Sequence, residues 1–149
     1  MLRNKRGFTL IEAILVLAII SIFVLIGSIE LKDVFADAKL RAAARMIAND
    51  IRYAQQLAIS TKSDDVEVFF NKANNSYNVN SGMVTYKSEK LPEGVKFHYN
   101  TFANDRCIYS KTGNPIHAGK VIIEHNGHYF TITVKVATGR VIIYDYKKQ

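Results

Sequence analysis

From Phe8 to Ile29 the chain is apolar almost without interruption, and the one charge inside the run is Glu12. Three positive residues, Arg3, Lys5 and Arg6, stand ahead of it. As a helix, 22 residues reach roughly 33 Å, about the thickness of a hydrocarbon layer. Basic residues before such a segment hold the N-terminus in the cytoplasm and send the remainder outward. A secretory signal peptide fits less well. The run is too long, and Leu25-Ile26-Gly27-Ser28 offers no small-x-small cleavage pair.

Residues 30–62 contain no proline or glycine and many good helix formers. At about 100° per residue, Leu40, Ala43, Ala44, Ile47, Ile51, Ala54 and Ala58 fall on one stripe. Arg41, Arg45, Arg52 and Gln56 fall opposite, a face that Asp37 and Asp50 dilute. Leu31, Val34, Phe35, Ala38 and Ala42 form a second stripe on a different face. The first stripe suits the chain's own core and the second suits neighbouring molecules. If continuous from Phe8 to Lys62, the helix is about 80 Å long, too long for one core. Two helices with a bend near Gly27 to Lys32 are the alternative.

After Ser63 the period becomes alternating. Val66, Val68 and Phe70 mark a strand, followed by a turn through Ala73-Asn74-Asn75-Ser76 and a second strand from Tyr77 to Asn80. Val95, Phe97 and Tyr99 alternate likewise, and Cys107-Ile108-Tyr109 reads as a short strand. The clearest hairpin turns at Asn126-Gly127, because a type I′ turn needs positive φ at both central residues. Phe130, Ile132, Val134 and Val136 then form one buried face, and the last strand is Val141 to Tyr146. No crossover helices remain, so the sheets are antiparallel.

A chain of 149 residues with 48% hydrophobic content excludes both disorder and a multidomain enzyme. The formal charge of +7 is compatible with nucleic acid or anionic lipid without specifying either. The single cysteine, Cys107, cannot form an internal disulfide and reads as a buried thiol. His125 and His128 flank the hairpin turn, but structural zinc wants four ligands, so neither is assigned to a metal. No nucleophile elbow, phosphate loop or HExxH pattern occurs, and Asp64-Asp65 reads as a helix-exit turn. The expectation is a non-enzyme without cofactor or metal.

Glu12 remains to be explained. A carboxylate in an apolar helix is costly in lipid unless paired, and Ala13 to Ile29 supplies no cation. A chain cut after Gly7 would expose a free amine at Phe8, able to neutralise Glu12 of another subunit. Lys5-Arg6-Gly7-Phe8-Thr9-Leu10-Ile11-Glu12 with its apolar helix resembles the processing signature of type IV pilins and pseudopilins. The resemblance implies cleavage after Gly7 by a prepilin peptidase and N-methylation of Phe8. It makes Glu12 the residue that sets register in the filament. Many main pilins carry a proline in this helix, whereas the first proline here is Pro92.

The segment Arg45 to Ala58, together with Ser110-Lys111-Thr112-Gly113-Asn114-Pro115 and Thr138-Gly139-Arg140-Val141, is similar to the secretion-pathway H-type and FimT-type minor pseudopilins. Residues 72–105 match no motif. The resemblance implies an α+β pilin fold, a long N-terminal α-helix packed on a small antiparallel β-sandwich-like head. Its divisions are a leader over 1–7, a transmembrane and filament-core helix over 8–29, an amphipathic continuation over 30–62, and the head over 63–149. Partners are then other pilins, the prepilin peptidase and the cytoplasmic membrane. The protein crosses that membrane once with its head outside, before incorporation into a pilus or pseudopilus of secretion, competence or pilus machinery. The competing reading is a tip module capturing DNA or an adhesion target. In FimT-type DNA-binding pilins a glycine-arginine pair is followed by a second arginine two residues on. Here Ile142 takes that place after Arg140, which argues against DNA.

Overall fold

The computed structural model describes residues 9–147, without the side chains of 24–34 and 147. Two compact units divide between Phe35 and Ala36. In the first unit α1 (Leu10–Thr61) begins. Thr9 caps it: the Glu12 amide donates to Thr9 Oγ1 at 3.3 Å and to the Thr9 carbonyl at 3.1 Å. The large apolar residues from Leu10 to Phe23 are exposed, Leu10 by 81% and Phe23 by 71%. Among the described residues no helix is long and apolar enough to cross a membrane. The 8–29 segment begins at Phe8, outside the described residues, as do its side chains beyond Phe23.

Among the described residues the second unit holds the remainder of α1 and eight strands. β1 (Val66–Asn71), β2 (Ser76–Ser81), β3 (Val84–Lys90) and β5 (Arg106–Tyr109) form a sheet in the order β3-β2-β1-β5. β4 (Lys96–Asn100), β6 (Gly119–His125), β7 (His128–Val134) and β8 (Val141–Lys147) form a second, in the order β4-β6-β7-β8. Every pairing is antiparallel.

The stripe from Leu40 to Ala58 is buried and shares one core with Val66, Val68 and Phe70 of β1, Val79 of β2, and Ile123, Ile132 and Val134 of the other sheet. Alanines at 43, 44, 48, 54 and 58 let the helix approach closely, while Phe70 packs against Phe97 and Phe102, each 5.8 Å away between ring centres. The helix ends on Lys62 in the left-handed region, φ 52°, with the Ser63 amide donating to the Ala58 carbonyl.

Several positions depart from the sequence pattern. Val136 is 41% exposed, because β7 stops at Val134 and the chain is already turning. Tyr99 is exposed although Val95 and Phe97 are buried. The register of β4 on β6 shifts between Phe97 and Tyr99, which puts Asn100 inward instead. β3 has no buried residue and no apolar alternation, so its existence rests on backbone pairing with β2. Asp50 does not dilute the arginine face. It is buried against β2 and β3. Of the second stripe, Phe35, Ala38 and Ala42 are exposed, and Leu31 and Val34 lie outside the described side chains.

Candidate functional site: the helix start and the clefts of the head

Gly7 and Phe8 lie outside the described residues. Glu12 sits in the first turn of α1 and is exposed. It is the third helical residue after the Thr9 cap, so Thr9-Leu10-Ile11-Glu12 carries the Thr-x-x-Glu spacing of a capping box. That signal is legible in the sequence, and the charge argument alone overlooks it. A carboxylate here also suits the positive end of the helix dipole.

On the head, α1 and the turn between β7 and β8 enclose a cleft of about 440 Å³ lined by Arg52, Gln55, Thr138, Gly139, Arg140 and Val141. Among the described residues no carboxylate lines it. Arg52 is held by Asn49 Oδ1 at 2.9 Å and the Val141 carbonyl at 3.2 Å, and Gln55 donates to the Gly113 carbonyl at 2.8 Å. Gly139 has φ 62°, and a Cβ there would lie 2.4 Å from Gln55 Nε2. The turn therefore needs glycine to sit this close to the helix. Sequence spacing finds only Arg140; the fold adds Arg52 from the helix.

The two histidines oppose each other in the β6–β7 register, and each turns to a different neighbour. His125 Nδ1 lies 2.6 Å from the Gly94 carbonyl, and His128 Nδ1 lies 3.8 Å from Asp37 Oδ1. Among the described residues no group of three or more His, Cys, Asp or Glu side chains could hold a metal ion. Asp64 accepts from the Lys111 amide at 2.9 Å and pairs with its ammonium at 3.2 Å, which hold its carboxyl below the usual range. Asp64 thus ties the helix exit to the 110–115 loop. Cys107 is buried, and loss of solvation pushes its thiol up to about 12. Such a thiol is inert at neutral pH.

Residues 2–28 match the prokaryotic N-terminal methylation motif. Over 140 residues the chain is 29% identical to competence protein ComGD of Bacillus subtilis (strain 168), covering 94% of each. In fold it is similar to the type IV minor pilin FimU of Pseudomonas aeruginosa, with a TM-score of 0.60 and 13% identity over 72% of this chain and 90% of that one. It is also similar to the minor pseudopilin EpsH of the Vibrio cholerae type 2 secretion system, with a TM-score of 0.55 and 11% identity over 72% of this chain and 97% of that one.

The chain carries the prokaryotic N-terminal methylation motif and shares its fold with a type IV minor pilin and a minor pseudopilin. The pilin fold, a helix packed on antiparallel sheets, is the architecture the sequence resemblance implies. The pilins and pseudopilins it resembles are structural subunits rather than enzymes.

Proposed function

We infer that this chain is a minor type IV pilin or pseudopilin, cut after Gly7 by a prepilin peptidase, methylated on Phe8, held in the cytoplasmic membrane by its apolar helix with the head outside, and then built into a filament. The observation that carries the reading is the methylation motif over residues 2–28, within which the apolar helix residues from Leu10 to Phe23 are exposed. So much apolar surface must be covered by lipid or by other subunits. Glu12 sets register, since a carboxylate left unpaired in a packed apolar core is strongly unfavourable. Full-length similarity to a competence protein favours a competence pseudopilus as the machine. The chain itself acts as an assembly subunit and not as a catalyst.

The test is mass spectrometry of the N-terminus after extraction from membranes, together with filament incorporation. The wild-type chain should begin at N-methylated Phe8. Glu12→Ala should be cleaved normally and fail to enter filaments; normal assembly of that variant would refute the register role.

A second reading, DNA capture by the head, is favoured by the cleft that brings Arg52 beside Arg140. The helix arginine offers the second guanidinium that Ile142 withholds. Phosphate contacts weaken as salt rises, so DNA retention by residues 30–149 should fall with ionic strength and fall further in Arg52→Ala and Arg140→Ala. Retention indifferent to salt would dismiss it.

A further inference from the structure

The outward face of the β4-β6-β7-β8 sheet carries a concavity of about 430 Å³ that the arginine cleft does not touch. Strand register fixes its layout. Tyr129 of β7 stands opposite Glu124 of β6 and Tyr146 of β8; Thr131 stands opposite Ile122 and Tyr144; Thr133 stands opposite Lys120 and Ile142. Thr131 is only 7% exposed, whereas Tyr144 and Tyr146 are 39% and 59% exposed, so the threonine forms a floor and the rings form walls. Two ring pairs stiffen those walls: His98 meets Tyr129 edge-on at 5.1 Å, and Tyr144 lies 6.5 Å from Tyr146. A second depression of about 460 Å³ shares Lys120 and Thr133 with the first and runs on past Val136 and Ala137. Together they make an elongated trough.

We propose that this trough binds a neutral glycan strand, with one sugar ring seated over Thr131 between Tyr129 and Tyr144. Tyrosine offers an apolar ring face and a polar tip, which matches a sugar's apolar C–H face and its rim of hydroxyls. Hydroxyls of Tyr129, Thr131, Thr133, Tyr144 and Tyr146 surround the apolar wall of Ile122, the mixture expected of a small-molecule site. Charge decides against a polyanion. Among the described residues two lysines, Lys120 and Lys135, and no arginine line the trough, and Glu124, paired with His98 at 3.4 Å, stands at its edge. A phosphodiester chain needs several cations along its track. The shared second depression accommodates the next sugars of the strand.

The full-length protein, held in a zwitterionic detergent free of sugar headgroups, should be titrated calorimetrically with chitohexaose, cellohexaose and, separately, an oligothymidylate. At least one hexasaccharide should bind, and Tyr144→Ala should weaken it about tenfold or more, a loss of about 1.4 kcal/mol. Thr131→Val should also weaken it, because the floor hydroxyl is lost at nearly constant volume. Tyr86→Ala, an exposed tyrosine on β3 of the other sheet, should leave binding unchanged. Circular dichroism melts of each variant separate lost binding from lost folding. Absence of binding to both hexasaccharides overturns the proposal, as does binding equal in wild type and Tyr144→Ala. Oligothymidylate binding lost in Tyr144→Ala, without glycan binding, would assign the trough to base stacking instead. Loss of filament incorporation in Tyr144→Ala, again without glycan binding, would assign it to a subunit contact.

Discussion

The Tyr77 hydroxyl donates a 2.5 Å hydrogen bond to Asp50 Oδ2, joining β2 to the buried face of α1. Lys87 of β3 completes the arrangement with its ammonium 2.6 Å from Asp50 Oδ1. A carboxylate this buried is tolerable only when both oxygens are satisfied. The pair of contacts therefore ties the edge of one sheet to the helix.

Asp50→Ala removes the acceptor and strands both the Tyr77 hydroxyl and part of the Lys87 charge, which should cost about 2–3 kcal/mol. Tyr77→Phe keeps the Asp50–Lys87 pair and should cost about 1–2 kcal/mol. Lys87 is 36% exposed on its side chain, so Lys87→Met should cost less than either. Urea midpoints of the three variants test the ranking, and a Lys87→Met loss larger than that of Asp50→Ala would contradict it.

Alkaline pH should destabilise the head in stages through four groups, Cys107, Tyr77, Tyr109 and Lys87, whose protonated forms the fold favours. The Cys107 thiol, ordinarily near 9, is pushed up to about 12 by burial. Its contribution is complete below pH 9 and is lost as pH rises toward 12, at about 1.4 kcal/mol per pH unit, because only the unfolded chain then sheds the proton. Tyr77 is raised by burial and by its bond to Asp50, and Tyr109 mainly by burial, so their contributions begin to fall only above about pH 10. Lys87 is raised mainly by its bond to Asp50, and its contribution is present below about 10.5 and lost as pH climbs through the folded value. Stability measured against pH should decline from about pH 9, and Cys107→Ala should move the start of that decline to about pH 10.

What the sequence makes legible follows from how each residue signals. The helix stripe from Leu40 to Ala58 and the Asn126-Gly127 hairpin are legible because periodicity and turn chemistry act locally. Asp50 is misread because a charge on a helix is taken for a solvated one unless its partners, Tyr77 and Lys87, are known to lie across from it. β3 is missed for the opposite reason: an edge strand with both faces open has no apolar pattern to show. The arginine cleft is half legible, since Arg140 lies in a recognisable turn while Arg52 joins it from 88 residues away in the chain. The tyrosine trough is set by register across strands, which a single-strand alternation cannot report.

Gly119→Ala should destabilise the head although it adds only one methyl group. A Cβ at Gly119 would lie 2.2 Å from Phe102 Cδ1, and Phe102 is 4% exposed and stacked on Phe70. The ring has no free direction in which to retreat, so the overpacking should cost about 1–3 kcal/mol. Thermal unfolding would register this as a lower midpoint. Phe102→Leu in the same chain should recover part of the loss, because the smaller side chain clears the methyl.

Lys62→Gly should act in the opposite direction. Lys62 closes α1 at φ 52°, where a Cβ is strained, and the Ser63 amide reaches back to the Ala58 carbonyl at 3.2 Å. Glycine adopts this conformation without steric cost but also loosens the unfolded chain, so the net gain should be about 0.5–1 kcal/mol. Lys62→Val, branched at Cβ, should lose at least as much by the same steric argument. Opposite shifts of the urea midpoint in the two variants would attribute the effect to backbone conformation. If both variants instead lost stability equally, the lysine side chain would be the stabilising element, through its charge near the carbonyl end of the helix.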